Sequence, residues 1–168
     1  MGPDLLYKKR LSHPLDTIEK VVAGHNWIFE RTAQDEMSIS IEGTCSDYDI
    51  SFSWLKDYEA LHIICAFQCL GLPPARRLNE LYHLLAQINR KMVVGHFDYL
   101  PEEQTFVYRQ ALVLVGGLYP TEAQIEMLLI TAIEACEGHY AAFQMLLEGK
   151  IGADHAMRYA LFETLGFT

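Results

Sequence analysis

Residues 37–42 read MSISIE and residues 48–54 read YDISFSW, so apolar and polar side chains alternate strictly in both segments. Because successive side chains of a β-strand point to opposite faces, this period of two predicts two strands with one dry and one solvated face. The connection at 43–47 is short and rich in turn-forming residues. We therefore predict that the two strands pair as an antiparallel hairpin.

The segments on either side extend this hairpin into a sheet. Trp27 to Thr32 begins with residues that favour strands and is joined to the hairpin by a short connection. Residues 60–69 are apolar on both faces, which is typical of a central strand whose second side is covered. Two more strands are predicted at about 93–99 and 105–114. The sequence therefore predicts an antiparallel sheet of about six strands.

Four further segments have apolar residues at helical spacing. Pro14 suits the first turn of a helix, and Thr121 with Gln124 forms a capping box at the start of the longest one. The helices are predicted to begin at Pro14, after Pro73-Pro74, after Thr121, and at residue 153, with the last one ending at residue 165. The order is therefore α-β-β-β-β-α-β-β-α-α, an α+β fold in which the helices pack mainly on one face of the sheet.

The chain has 168 residues, 51% of them apolar, and a net charge of −9. We predict a single domain over residues 13–168, preceded by a flexible arm at residues 1–12. The acidic balance disfavours nucleic acid as a partner, because Lys and Arg supply most of that affinity. No apolar run approaches the roughly 20 residues that span a bilayer, and no signal peptide is visible. We therefore expect a cytoplasmic protein without membrane association, whose four cysteines are buried free thiols.

Familiar catalytic motifs are absent from the sequence. It contains no Gly-x-Gly-x-x-Gly, no phosphate-binding loop, no Gly-x-Ser-x-Gly and no His-Glu-x-x-His. We therefore predict that the protein is not an enzyme and has no catalytic residue, no metal ligand and no cofactor.

The string His96-Phe97-Asp98 is the strongest candidate for a polar site. On a strand, His96 and Asp98 point the same way about 7 Å apart, so they could share a metal ion or a proton. A catalytic metal needs about three protein ligands, and the sequence shows no candidate for a third ligand. The alternative is a histidine that is hydrogen-bonded to a neighbour at a strand end. Arg109 could bind an acidic group or pair with Asp98 across the hairpin, and the pairing is the favoured interpretation.

Two aromatic residues complete the candidate neighbourhood for interaction or ligand binding. Tyr108 flanks Arg109, and Trp54 lies on the dry face of its predicted strand. Most aromatic residues in such positions belong to the core, and the remainder are interface anchors.

The remaining thiol and carboxylate groups have simpler explanations. Cys65 and Cys69 would lie about 13 Å apart on a strand, too far for a disulfide or for one metal ion. Glu134 and Glu137 are expected on the solvent face of the long helix.

Short strings along residues 14–166 resemble the YbjN family of bacterial proteins, its alphaproteobacterial branch in particular. They include HNW at 25–27, CSDY at 45–48, GHFD at 95–98 and YRQAL at 108–112. The resemblance implies a fold like that of type III secretion chaperones, an antiparallel sheet with helices that commonly forms a dimer. It also implies a non-enzymatic, protein-binding role, and members of the family are described as regulators of sensory transduction. The family has no agreed catalytic or ligand residues to carry over to this chain.

These observations predict a non-catalytic cytoplasmic protein that binds another protein in a chaperone-like or regulatory role. We expect a homodimer whose protein partner the sequence does not identify. An exposed sheet surface or a groove across the dimer would form the binding site. The alternative is a sensor domain that binds a small ligand or a metal near His96, Asp98 and Arg109.

Overall fold

The computed structural model describes residues 13–71 and 77–165. Its helices are α1 (Pro14–Gly24), α2 (Leu78–Lys91), α3 (Glu122–Leu147) and α4 (Ala153–Leu165). Its strands are β1 (Phe29–Ala33), β2 (Glu36–Glu42), β3 (Asp47–Leu55), β4 (Ala60–Phe67), β5 (His96–Leu100) and β6 (Thr105–Val113). A single 3-10 turn, Lys56–Tyr58, precedes β4. The predicted order of helices and strands is confirmed; the predicted arm at 1–12 and Pro73-Pro74 lie outside the described residues.

The six strands form one sheet in the order β1-β2-β3-β4-β6-β5, and every neighbouring pair is antiparallel. In the hairpin of β2 and β3, Ile39 lies opposite Ile50, and Ile41 lies opposite Tyr48. β4 is central, as its two apolar faces predicted, because it pairs with β3 on one side and with β6 on the other. The predicted α+β fold with an antiparallel sheet is confirmed.

One face of the sheet, the helix face, carries the core. Its strand residues Ile50, Ile63 and Phe106 are buried in the same apolar cluster as Ile18 of α1 and Leu129 of α3. α3 packs on β4 and β6, α2 packs on β5, and α1 packs on β3 and on α3. α4 packs against α2 and α3. The alternation of side chains along each strand thus places the apolar set under the helices.

The opposite side of the sheet, the open face, carries the alternate residues of each strand. Ser51, His62 and Arg109 on this face are half-buried, and Ala111 is exposed. This face is therefore the more polar and more accessible of the two.

Side-chain caps explain where two of the helices begin. The Gln124 N–H donates to Thr121 Oγ1 at 3.2 Å and the Thr121 N–H donates to Gln124 Oε1 at 2.9 Å, which confirms the predicted capping box of α3. At the start of α1, the Leu15 N–H donates to the imidazole Nδ1 of His13 at 3.2 Å. The sequence did not predict this histidine cap. None of the described helices combines the length and apolarity needed to cross a bilayer.

β1 begins later than its composition suggested. It starts at Phe29, because Asn26 adopts a positive φ of 58° and Trp27 stacks on His25 with ring centroids 4.4 Å apart. Trp27 therefore belongs to the turn after α1 and not to the strand.

β5 is also shorter than expected, and its shortening shapes the candidate site. It starts at His96 and not near Val93. Gly95 has a φ of 69°, and a Cβ placed on it would lie 2.2 Å from the hydroxyl oxygen of Tyr108. The left-handed backbone at this glycine turns the chain away from the strand direction, so residues 93–95 do not pair with β6.

The expectation of four buried thiols is only partly right. Cys65 and Cys136 are fully buried, Cys69 is half-buried beyond the end of β4, and Cys45 is exposed. Cys45 is exposed because it lies in the turn between β2 and β3, outside both strands.

Glu137 is not the ordinary solvent-face residue that helical spacing suggested. Its carboxylate accepts the backbone N–H of Thr44 at 2.8 Å and that of Cys45 at 3.4 Å. α3 therefore holds the turn of the β2–β3 hairpin, whereas Glu134 is exposed as predicted.

Candidate interaction surface

Three basic side chains meet on the open face, where β4, β6 and β5 lie side by side. His96 lies opposite Arg109 in the antiparallel register, so two of the predicted site residues are cross-strand neighbours. His62 on β4 lies opposite Ala111 and lines the same recess as the other two. Burial, and then the proximity of Arg109 and His96, lower the pKa of its imidazole. The three side chains line an open recess of about 440 Å³, the open-face recess, together with Val94 and Ala111.

Arg109 has no acidic partner within the described ranges. Its Nε is buried without a hydrogen-bond partner. The expected pairing with Asp98 is wrong, because the register places Asp98 opposite Val107. The Asp98 carboxylate instead accepts the N–H of Tyr99 at 2.8 Å. Buried polar groups are nearly always paired, and Arg109 lines the open-face recess, so a group outside the described residues could pair with this guanidinium.

The structure does not place Tyr108 and Trp54 with these basic residues, because both lie on the helix face. Tyr108 is fully buried, and its hydroxyl lies 3.3 Å from the Val94 carbonyl oxygen and 2.9 Å from Gln110 Oε1, to one of which it donates. Burial raises the pKa of Tyr108 to about 12. Trp54 lies opposite Leu61 and packs against the core. Both aromatic side chains therefore contribute to packing on the helix face.

No group of three or more His, Cys, Asp or Glu side chains that could hold a metal ion is found in residues 13–71 and 77–165. His96 and Asp98 share the open face, as their spacing predicted.

The C-terminal half of β6 has a neighbouring strand on one side only. β5 pairs with residues 105–109, whereas residues 110–113 pair with β4 and, within the described chain, with no strand on the other side. We call residues 110–113 the free edge. The Leu114 N–H donates to the Glu59 carbonyl oxygen at 2.7 Å, towards β4. Because hydrogen bonding alternates along an antiparallel pair, Ala111 and Val113 direct their N–H and C=O groups to the free side.

A second recess, of about 430 Å³, lies beside the free edge on the helix face, between β6 and α3. Its lining is mainly apolar, and we call it the helix-face recess. The side chains that line it include Val94, Leu112, Ala123, Met127 and Leu128. The free edge therefore has one recess on each side: an apolar one on the helix face and a basic one on the open face.

Exposed apolar side chains are concentrated in the segments that contribute to the two recesses. Of the fourteen large apolar side chains that are exposed among the described residues, eight lie at residues 93–94 and 113–130. Val93 is 97% exposed, Val113 63% and Met127 59%. We call these eight residues, with the free edge, the β6 patch. A concentration of exposed apolar side chains is typical of interaction sites.

The sequence alone did not reveal the β6 patch. The strand predicted at about 93–99 includes Val93 and Val94. In that strand, Val93 would pair with Leu112 and Val94 with Ala111, and the edge would be closed. The signal that could have corrected this is Gly95, since a glycine inside a strand pattern often marks a bend.

The fold and this surface define an α+β domain that presents an unpaired strand edge between two recesses. Comparison with known proteins gives its family. The model of the YbjN family, described as "Putative bacterial sensory transduction regulator", matches residues 14–145. The chain belongs to the YbjN family.

Solved structures share the fold. The crystal structure of YbjN, "a putative transcription regulator from E. coli", matches with a TM-score of 0.52 and 14% sequence identity, over 81% of this chain and 90% of that chain. At this identity the similarity shows the common fold alone. No curated protein matches the chain.

Proposed function

We propose that this chain is a non-catalytic regulatory domain that binds another protein in the cytoplasm, with the β6 patch as its binding surface. The observation that carries the proposal is the concentration of exposed apolar side chains around an unpaired strand edge. The family description, a regulator of sensory transduction, supports a regulatory role.

The physical argument rests on the free energy that a partner would gain from covering the patch. Fully burying a Val, Leu or Met side chain contributes about 1.5–3 kcal/mol. Val93, Val113 and Met127 are each more than half exposed in the free chain. A few such side chains at the centre of an interface supply most of the binding energy in protein complexes.

Affinity capture from a lysate of the source organism tests this function. We expect Val113→Lys and Met127→Glu to reduce the captured partner at least about tenfold, since each puts a charge into an apolar contact worth about 1.5–3 kcal/mol. Ile28→Lys is the matched control, because Ile28 is 84% exposed but lies before β1 at the other edge of the sheet. Equal capture by all three variants and the unchanged protein would show that the β6 patch is not the binding surface.

A homodimer, which the family resemblance implies, stays part of the proposal. Size-exclusion chromatography with light scattering at high micromolar concentration checks it, and we expect the mass of two chains. The mass of one chain at every concentration would contradict the dimer and would leave partner binding to be judged by the capture experiment.

Arg109, which has no acidic partner in the part of the chain that the structure describes, favours one alternative: a sensor of a small anionic ligand at the open-face recess. A ligand at about 100 times its dissociation constant adds roughly 2.7 kcal/mol to the unfolding free energy. Thermal unfolding in phosphate, acetate and citrate measures this effect, and Arg109→Gln should abolish any rise in Tm. A rise that survives Arg109→Gln would place the anion elsewhere.

A further inference from the structure

We propose that the free edge of β6 binds an extended segment of the partner protein as an additional antiparallel strand, and that this segment carries an acidic side chain next to an apolar one. The inference rests on the proposed function and names the kind of partner that the β6 patch fits. It rests on the backbone of the free edge, on the two recesses, and on Arg109, which has no acidic partner among the described residues.

The backbone of the free edge can pair with a further strand. Ala111 and Val113 each direct an N–H and a C=O group away from β4. Natural proteins protect edge strands with charged residues or proline. β1, at the other edge of the sheet, carries Glu30 and Arg31, whereas the free edge reads QALV and has no charged residue and no proline. The edge is thus competent for strand addition, a common mode of peptide recognition.

The two recesses specify the side chains of the guest strand. Successive residues of a strand point to opposite faces, so a guest residue on one side meets the helix-face recess and the next residue meets the open-face recess. Met127, Leu128 and Leu112 line the first, which suits an apolar side chain. Arg109 and His62 line the second, where a carboxylate would give the guanidinium its missing partner.

The acidic group must come from a different protein and not from a second copy of this chain. In an antiparallel pairing of two free edges, the outward-facing backbone groups must meet. Ala111 then lies opposite Ala111 or Val113 of the copy, or Val113 lies opposite Val113. Because Arg109 itself lies opposite His96 of β5, its nearest open-face position on an added strand is the one opposite Ala111. In these three registers that position holds Ala111, Val113 or Val115 of the copy, none of which carries a carboxylate. Charge complementarity therefore favours a heterologous guest.

Amide hydrogen exchange with a synthetic guest tests the inference directly. The probe is the capped heptapeptide Thr-Val-Glu-Leu-Glu-Val-Thr, which alternates apolar and acidic residues. In the free protein we expect the amides of Ala111 and Val113 to exchange at least about tenfold faster than those of Gln110 and Leu112, which face β4. Saturation with the peptide should slow Ala111 and Val113 to the rates of their neighbours.

Modified peptides separate strand pairing from simple charge attraction. In an antiparallel addition, the guest residues opposite Ala111 and Val113 have their side chains on the open face, so the two Glu residues take these positions. Ala111 and Val113 direct their backbone groups to the guest, and the residues opposite them do the same in return, so the N–H groups of the two Glu residues face β6. N-methylation of both Glu residues should weaken binding at least about tenfold, whereas N-methylation of the central Leu, whose N–H faces away, should not. Replacing both Glu by Lys should weaken binding at least about tenfold, because the Lys side chains cannot form a charge-assisted hydrogen bond with Arg109. With Arg109→Gln the Glu and Lys peptides should bind equally.

The protein variant Ala111→Pro removes an N–H donor of the free edge. It removes no hydrogen bond to β4, because the Ala111 N–H faces away from β4, and proline is tolerated at such edge positions. We expect it to lose the heptapeptide and the partner captured from lysate. If Ala111→Pro captures the partner as well as the unchanged protein does, or if the peptide protects amides elsewhere, the strand-addition inference fails while the proposed function stands. If the unchanged protein captures no partner and binds no peptide at about 1 mM, both fail.

Discussion

The sulfur atoms of Cys65 and Cys136 lie 3.6 Å apart in the core, where the central strand β4 meets the long helix α3. Both side chains are fully buried. Burial, and then the neighbouring Cys65 and Glu137, raise the pKa of the Cys136 thiol far above its ordinary value. The uncharged thiol is therefore the stable form at neutral pH, and the two residues pack as small apolar groups.

The four thiols should differ widely in their reaction with Ellman's reagent, since the thiolate is the reactive form. Cys45 is exposed and should react first. Cys69 should react slowly, because burial raises the pKa of its thiol to about 12. Cys65 and Cys136 should react only after unfolding in urea. Cys45→Ser should remove the fast phase alone; reaction of three or more thiols in the native protein would contradict the buried pair.

Glu137→Ala should destabilise the fold through the turn that its carboxylate holds. The variant leaves the N–H groups of Thr44 and Cys45 without their acceptor. We expect the unfolding free energy in urea to fall by about 1–3 kcal/mol. Glu134→Ala, three residues earlier on the same helix, is exposed and should change it by less than about 0.5 kcal/mol. Equal effects of the two substitutions would mean that the turn does not depend on Glu137.

Tyr48 and Tyr108 are both fully buried, and their hydroxyl groups have different polar neighbours. The Tyr108 hydroxyl meets the Val94 carbonyl and the Gln110 side chain. Burial, and then the charge of Glu137 and a hydrogen bond with it, raise the pKa of the Tyr48 hydroxyl far above its ordinary value. Because each substitution takes a buried hydroxyl away from its polar neighbours, Tyr48→Phe and Tyr108→Phe should each lower the unfolding free energy in urea by about 1 kcal/mol. An unchanged unfolding free energy in either variant would show that its hydroxyl makes no net contribution to stability.

The fold could be predicted because its main signals are local. Strict alternation around Ile39 and Ile50 fixes which face of each strand is buried, and a shift by one residue would expose the whole apolar set. The capping box of Thr121 and Gln124 depends on four consecutive residues. Such patterns need no knowledge of distant parts of the chain.

The candidate site was harder to predict because it depends on pairing between distant residues. His96 and Arg109 were both nominated, but the register that makes them neighbours and leaves Asp98 opposite Val107 is set by the turn between β5 and β6. The free edge follows from the bend at Gly95, whose space is limited by Tyr108, thirteen residues away. The spacing of residues within one strand predicts neither the register of β5 with β6 nor the bend at Gly95.

The stability of the fold should decrease in mild acid because of His139 on α3. Burial lowers the pKa of its imidazole below the ordinary 6.5, and the hydrogen bond from its ring to the Ala135 carbonyl only partly opposes this. Between the folded pKa and 6.5 the unfolded chain binds a proton that the folded chain does not, so stability is full above 6.5 and falls as the pH drops below it. Half-buried His62 acts in the same direction. Urea unfolding at about pH 7.5 and about pH 5.5 measures the loss, which His139→Gln should reduce and the exposed control His155→Gln should leave unchanged. An NMR titration that gives His139 a pKa at or above 6.5 would contradict this origin of the acid sensitivity.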